Sequence, residues 1–117
     1  MSPVVREVGP VIVVELIGSI NIHALRWLNT QFTEWINAGR LFFVFDMNQV
    51  TVITSSGIGA LIGYSQELKK LGGAMALSSM HQSGKEVMAL TKLDSLFKIC
   101  DTADEAVGFL QEKAAHG

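Results

Sequence analysis

The sequence predicts an α/β fold: one domain with a mixed, mostly parallel sheet of about five strands, four helices and an N-terminal antiparallel hairpin. Three observations carry this. Short apolar runs of strand length alternate with segments whose apolar residues recur at helical spacing, the pattern of strands joined by right-handed crossovers. The first two runs are separated only by Gly9-Pro10, too short for a crossover and suited to a tight turn. A chain of 117 residues with 49% hydrophobic content can bury one core without staples.

Val4 to Val8 and Val11 to Ile17 read as the two hairpin strands, with Gly18-Ser19-Ile20-Asn21 breaking the second. A helix is expected over Ile22 to Asn37. Leu25, Leu28, Phe32 and Ile36 share its inner face, Asn21 is a candidate N-cap, and Asn37 and Gly39 mark its end. Trp27 and Trp35 lie on a neighbouring face and read as helix–sheet packing. Leu41 to Phe45 is the central strand, which the chain leaves through Asp46-Met47-Asn48-Gln49. Ser56 to Leu71 is the second helix, with Ile58, Leu61, Ile62, Leu68 and Leu71 inward and Gly72-Gly73 as its stop. Gly57, Gly59, Ala60 and Gly63 give that helix a side of very small residues. Glycine costs a helix about 1 kcal/mol relative to alanine, so the run calls for close approach of the domain's own sheet, a visiting protein, or both. Ala74 to Ser78 is a further strand, and a short helix from about Ser83 to Leu90 has Val87 and Leu90 as its apolar positions. Phe97 to Cys100 is the last strand. Thr102-Ala103-Asp104-Glu105 has the capping-box pattern, opening a helix with Ala103, Ala106, Val107 and Leu110 inward and a frayed tail from Ala114 to Gly117.

Composition excludes several function classes. A net charge of −2 with scattered basic residues argues against direct nucleic-acid binding. No apolar run is long enough to cross a bilayer, and Arg6 and Glu7 precede the first long apolar stretch, unlike a signal peptide. Cys100 is the lone cysteine, so no internal disulfide or thiolate zinc cluster forms, and His23, His81 and His116 are too dispersed for a metal site. No cofactor motif is present, and a reducing, cytoplasmic setting fits. Charged residues make up only 17% of the chain against roughly 25% in a typical domain, and mean hydropathy is +0.35. An apolar patch for a partner or for a homodimer is one reading of this; unusually complete burial is the other.

The segment after the central strand holds the most chemistry. Thr54-Ser55-Ser56 places hydroxyls at the start of the second helix, where four backbone N–H groups lack partners and the helix dipole is positive. Such an end accepts an anion, including a serine-borne phosphate; in the plainer reading Ser55 or Ser56 simply caps the helix. In open parallel sheets functional loops gather beyond the carboxyl ends of strands, so Gly18 to Asn21 and Gln49 to Ser56 are expected on one surface.

Phe43-Val44-Phe45-Asp46, the stretch through Val50 and Ile53, and Thr54-Ser55-Ser56-Gly57-Ile58-Gly59-Ala60-Leu61-Ile62 resemble the signature of the STAS family. That family, typified by bacterial anti-sigma factor antagonists, follows an apolar strand and Asp with a polar-apolar loop and Asp-Ser-Ser-Gly-Leu-Gly. Leu68 to Gly73, Leu93 to Ile99 and Asp104-Glu105-Ala106 extend the resemblance, which implies one STAS domain over residues 1–117 with an ordered core of about 3–113. It further implies that Ser55, with Thr54 and Ser56 as alternatives, is phosphorylated by a partner kinase. Unphosphorylated, such a domain binds an anti-sigma factor that is a serine kinase with an ATP-binding fold, and a Ser/Thr phosphatase resets it. The chain is then a substrate and switch and performs no catalysis. The partner edge expected on this resemblance comprises Ser19, Asn21, Ile22, Thr54, Ser56, Gly57, Ile58 and Gly59.

Two departures remove carboxylates from that edge: Thr54 stands where the family has Asp before the serine, and Asn21 stands at the Asp of its Gly-x-Leu-Asp element. The family also serves, unphosphorylated, as a small binding subunit of lipid or organic-anion transport complexes, which is the alternative function. A serine hydrolase assembled from Ser55, His81 and Asp46 lacks the Gly-x-Ser-x-Gly elbow. A receiver domain would need an acidic pair after its first strand, and Gly18 to Asn21 has none.

Overall fold

The computed structural model describes residues 3–116. Its elements are β1 (Val4–Val8), β2 (Val11–Ile20), α1 (Ile22–Asn37), β3 (Phe42–Ile53), α2 (Ser55–Leu71), β4 (Ala74–Ser78), α3 (Gln82–Leu90), a 3-10 turn (Leu93–Ser95), β5 (Lys98–Cys100) and α4 (Ala103–His116). The strands form one sheet in the order β1-β2-β3-β4-β5, with β1 antiparallel to β2 and every other pair parallel. The predicted α/β class, hairpin and four helices are all present. Gly117 lies outside the described residues, while α4 continues through His116.

Alternation along the strands builds two cores, one on each face. Ile12, Val14 and Leu16 of β2, Phe43, Phe45 and Met47 of β3, and Met75 and Leu77 of β4 pack with α1 and α2. Val11, Val13, Val44 and Ala76 turn to the other face, where Ala106, Val107 and Leu110 of α4 cover them. Two aromatic sequences run through the first core: Phe32 stacks on Tyr64 at 4.3 Å between ring centres, and Trp35 meets Phe43 at 5.7 Å. Trp27 packs edge-on to Trp35, so both tryptophans serve burial as predicted.

Four sequence expectations are corrected. β2 does not break at Gly18 but runs to Ile20, and β3 does not end at Phe45 but continues to Ile53. The two extensions pair with each other from Ile17↔Gln49 to Ile20↔Ile53, and shifts of register at two points absorb the extra β3 residues. Polar Asn48, Gln49 and Thr51 suggested a loop, whereas bulged strands accommodate such residues and the Val50-Thr51-Val52-Ile53 run favours extended backbone.

On α2 the inward stripe is Gly57, Leu61, Tyr64 and Leu68, and Leu71 is exposed. On α3 the inward residue is Met88, while Val87 and Leu90 face out at 48% and 85% exposure. Met80, Gly84 and Met88 lie at helical spacing, and a Cβ on Gly84 would come within 3.0 Å of Met80 Cγ. A glycine in the middle of an inward stripe conceals that stripe from a hydrophobicity pattern.

The helix ends follow their residues. Asn21 Oδ1 accepts from the N–H groups of His23 and Ala24, both at 3.1 Å, capping α1 as predicted. Gly72 ends α2 in the left-handed conformation at φ 83. Thr102 Oγ1 accepts from Glu105 N–H at 3.1 Å, and the Glu105 carboxylate accepts from Asp101 N–H at 3.4 Å, one residue beyond the N-cap N–H of a regular capping box.

Candidate functional site

The paired ends of β2 and β3 deliver two helix starts to one edge of the sheet. Ile20↔Ile53 is the last register pair, so Asn21 and Thr54 follow from adjacent strands and open α1 and α2 respectively. Gly18 to Asn21 and Gln49 to Ser56 therefore do share a surface, although most of both segments is strand.

Thr54 is the N-cap of α2, the role expected above for Ser55 or Ser56. Its hydroxyl accepts from Gly57 N–H at 3.1 Å and donates to Ile20 O at 2.7 Å. One side chain thus caps a helix and fastens it to the neighbouring strand. The family's Asp could make the first of these bonds but, ionised, has no proton for the second. Gly57 explains the closeness. A Cβ there would lie 2.9 Å from Ile20 Cγ2 and 3.2 Å from Ile20 O, so α2 can approach β2 only with glycine at that turn. Gly59 and Gly63 have nothing within 4 Å of such a Cβ and leave open space on the helix surface.

With Thr54 as N-cap, Ser55 and Ser56 occupy the first two helical positions and both are exposed. Ile58 N–H bonds to Thr54 O at 3.0 Å and Gly57 N–H to the Thr54 hydroxyl. The N–H groups of Ser55 and Ser56 have no partner among the described residues. The Ser55 hydroxyl likewise has no hydrogen-bond partner among the described residues, and it stands at the positive end of a helix beside unpaired donors. Thr54 is half-buried with its proton engaged.

The remaining predicted edge residues are placed unequally. Asn21 is exposed as a cap and Ile22 is 65% exposed; Ser19 is half-buried, opposite Val52 in the ladder. Ile58 is half-buried, Gly59 exposed, and Gly57 buried against Ile20. Two apolar features escaped the sequence reading. Val52 is 54% exposed at the end of β3, and a groove of about 390 Å³ opens between the end of β3, the first turn of α2 and α3. Recognising β3 through Ile53 would still have missed Val52: strict alternation puts it on the face of buried Val50, and the shift of register between Val50 and Val52 turns it outward.

The edge is notable for what ionises there. From Met47 to Gln66, and from Leu16 to Leu25, the chain has no Asp, Glu, Lys or Arg. The resolved pKa shifts lie elsewhere. Burial pushes the Tyr64 phenol up from 10.0 to about 12, where its hydroxyl bonds to Asn29 and ties α2 to α1. Burial also pushes the Cys100 thiol up, against the opposing pull of Lys98. Among the described residues no cluster of His, Cys, Asp and Glu could hold a metal ion, and no helix is long and apolar enough to cross a membrane.

Comparison with known proteins gives consistent results. A candidate anti-sigma factor antagonist of Thermotoga maritima is 32% identical over 84 residues, covering 70% of this chain and 73% of that protein. The crystal structure of a candidate anti-sigma factor antagonist from Thermotoga maritima aligns with a TM-score of 0.85 at 25% identity, covering 93% of this chain and 94% of that one. The unphosphorylated form of SpoIIAA, an anti-sigma factor antagonist of Bacillus, aligns with a TM-score of 0.76 over 94% of this chain and 98% of its own. At 19% identity that likeness is one of fold. The STAS domain model matches residues 2–106, which takes in the whole sheet, α1 to α3 and the first turn of α4, and the chain belongs to that family.

Proposed function

We propose that this protein is an anti-sigma factor antagonist working by partner switching. Unphosphorylated, it binds an anti-sigma factor that is also an ATP-dependent serine kinase, using the edge formed by Ser19, Asn21, Ile22 and Thr54 to Gly59. Phosphorylation of Ser55 releases it, and a Ser/Thr phosphatase restores the binding form. It acts as a substrate, in the cytoplasm. The observation that carries this reading is the free, exposed Ser55 hydroxyl at the first position of α2, in an edge without Asp, Glu, Lys or Arg. The related names support it, and SpoIIAA itself exists in unphosphorylated and phosphorylated forms.

The switch follows from charge. A phosphate brings about −1.5 to −2 charges and three strong acceptors. In the free protein the α2 dipole and the N–H groups of Ser55 and Ser56 offset that charge, so the fold stays intact. In a complex the same group is pressed into an uncharged, partly apolar contact with exposed Ile22 and Val52 on the edge. Desolvating it there costs several kcal/mol, and about 1.4 kcal/mol is already tenfold in affinity.

Incubating the chain with its kinase and ATP, followed by peptide mass spectrometry, should place one phosphate on Ser55 and none on Thr54. Ser55→Asp should weaken kinase binding at least about tenfold and leave unfolding free energy within about 1 kcal/mol of the parent. Absence of phosphate from residues 54 to 56 would sink the proposal. Stable co-purification with a transporter ATPase, indifferent to Ser55→Asp, would replace it with the transport-subunit reading.

A further inference from the structure

β4 stops pairing with β3 at Asp46↔Ser78, and Ser79, at φ 56, turns the chain away. The flank of β3 beyond that point has no neighbouring strand; His81 Nε2 lies 2.8 Å from Asn48 O, and α3 follows across a gap. That gap is the groove of about 390 Å³. Met47, Val50, Met80 and Met88 form a buried floor, with Ile58 and Val87 on the walls. No lining residue is Asp, Glu, Lys or Arg. Thr51, His81 and Ser83 are exposed lining residues that offer hydrogen-bonding groups.

We propose that this groove is a binding site for a small uncharged ligand, mostly apolar with one hydrogen-bonding end. Its volume lies in the roughly 300–1,000 Å³ range of small-molecule sites, and its lining has their composition: an apolar surround with a few polar groups. Three methionines in the floor can repack around an irregular shape, because the side chain is unbranched and polarisable. Neutrality fixes the charge of the occupant. An ion seated on this floor would lose its hydration and find no Asp, Glu, Lys or Arg in the walls, and the Nε2 of His81, the one titratable lining residue, is engaged with Asn48 O. The site is independent of whether Ser55 is phosphorylated, yet it borders the switch, since Ile53 and Ile58 line the groove on either side of Thr54 and Ser55 in the chain.

The probe is 1-octanol titrated into the ¹⁵N-labelled full chain, with octanoate and octylammonium as charged ligands of equal length. Octanol should bind saturably at one site, shifting the amide signals of Thr51, Ile53, Ile58 and Gly84. Both charged ligands should bind at least about tenfold more weakly. Val87→Glu should weaken octanol binding by about tenfold or more, and Val87→Leu should leave it within about threefold. Val87 is half exposed, so neither change removes buried packing, and a melting curve on each variant checks the fold. Equal affinity for all three ligands, or tighter binding of either ion, overturns the neutral site. So does an unaffected Val87→Glu. Absence of saturable octanol binding, the result expected if a partner protein's side chain fills the groove, overturns it as well.

Discussion

The Thr54 hydroxyl gives its proton to Ile20 O and takes one from Gly57 N–H, so its loss strands one acceptor and one donor together. An N-cap is worth about 0.5–2 kcal/mol and an ordinary hydrogen bond about 0.5–1.5 kcal/mol. Thr54→Val, which keeps the shape, should lower unfolding free energy by about 1–3 kcal/mol in a urea titration, while Thr54→Ser should lose less than about 1 kcal/mol. A valine variant as stable as its parent would show that the two bonds contribute nothing. The chain displayed the hydroxyls at residues 54 to 56 openly, and the helix start was legible from them. Which one caps was not. Ser is as good a cap as Thr in isolation, and the choice rests on Ile20 O, which is a long way off in sequence and reaches Thr54 only through the strand pairing.

Helices and strands were legible to different degrees for physical reasons. α1 was readable at both ends because Asn21 caps it by a local contact and Gly39 adopts a positive φ just beyond it. β3 was readable only where both faces are buried, from Phe43 to Phe45; past Asp46 its exposed side is polar and its register is broken by bulges. α3 hid its inner face behind Gly84. Contact between α1 and α2 hangs on Tyr64, whose hydroxyl bonds to Asn29 and whose ring stacks on Phe32. Because the phenol is pushed up to about 12 from 10.0, the fold favours its neutral form. That contribution is fully present below the unfolded value of 10.0 and is lost as pH rises through about 12. Denaturant titrations over this window should show the parent falling steadily relative to Tyr64→Phe, which has no proton to lose. Parallel curves for the two proteins would contradict a burial-shifted phenol.

Across the whole molecule, the sheet separates two tasks. One core under α4 closes the far face with small residues such as Ala76 and Ala106, and the other carries the aromatic side chains under α1 and α2. The α/β class, the strand order of the hairpin and the edge that bears Ser55 could be reasoned from alternation alone, because those depend on periodicity and connection length. The groove could not, since it is a gap between a strand end and a misread helix face. The long stretches without Asp, Glu, Lys or Arg on the paired strand ends and the first turns of α1 and α2 have a consequence for encounter kinetics. A protein approaching this edge receives no long-range guidance from it. Its association rate should stay within about threefold between roughly 50 and 500 mM sodium chloride, over which the Debye length shrinks from about 14 to about 4 Å. Stopped-flow mixing would show this, and a steep ionic-strength slope would mean that docking happens elsewhere on the surface. On the proposed switch, a phosphate on Ser55 would put a dianion into an edge without Asp, Glu, Lys or Arg, and the same measurement would become sensitive to salt.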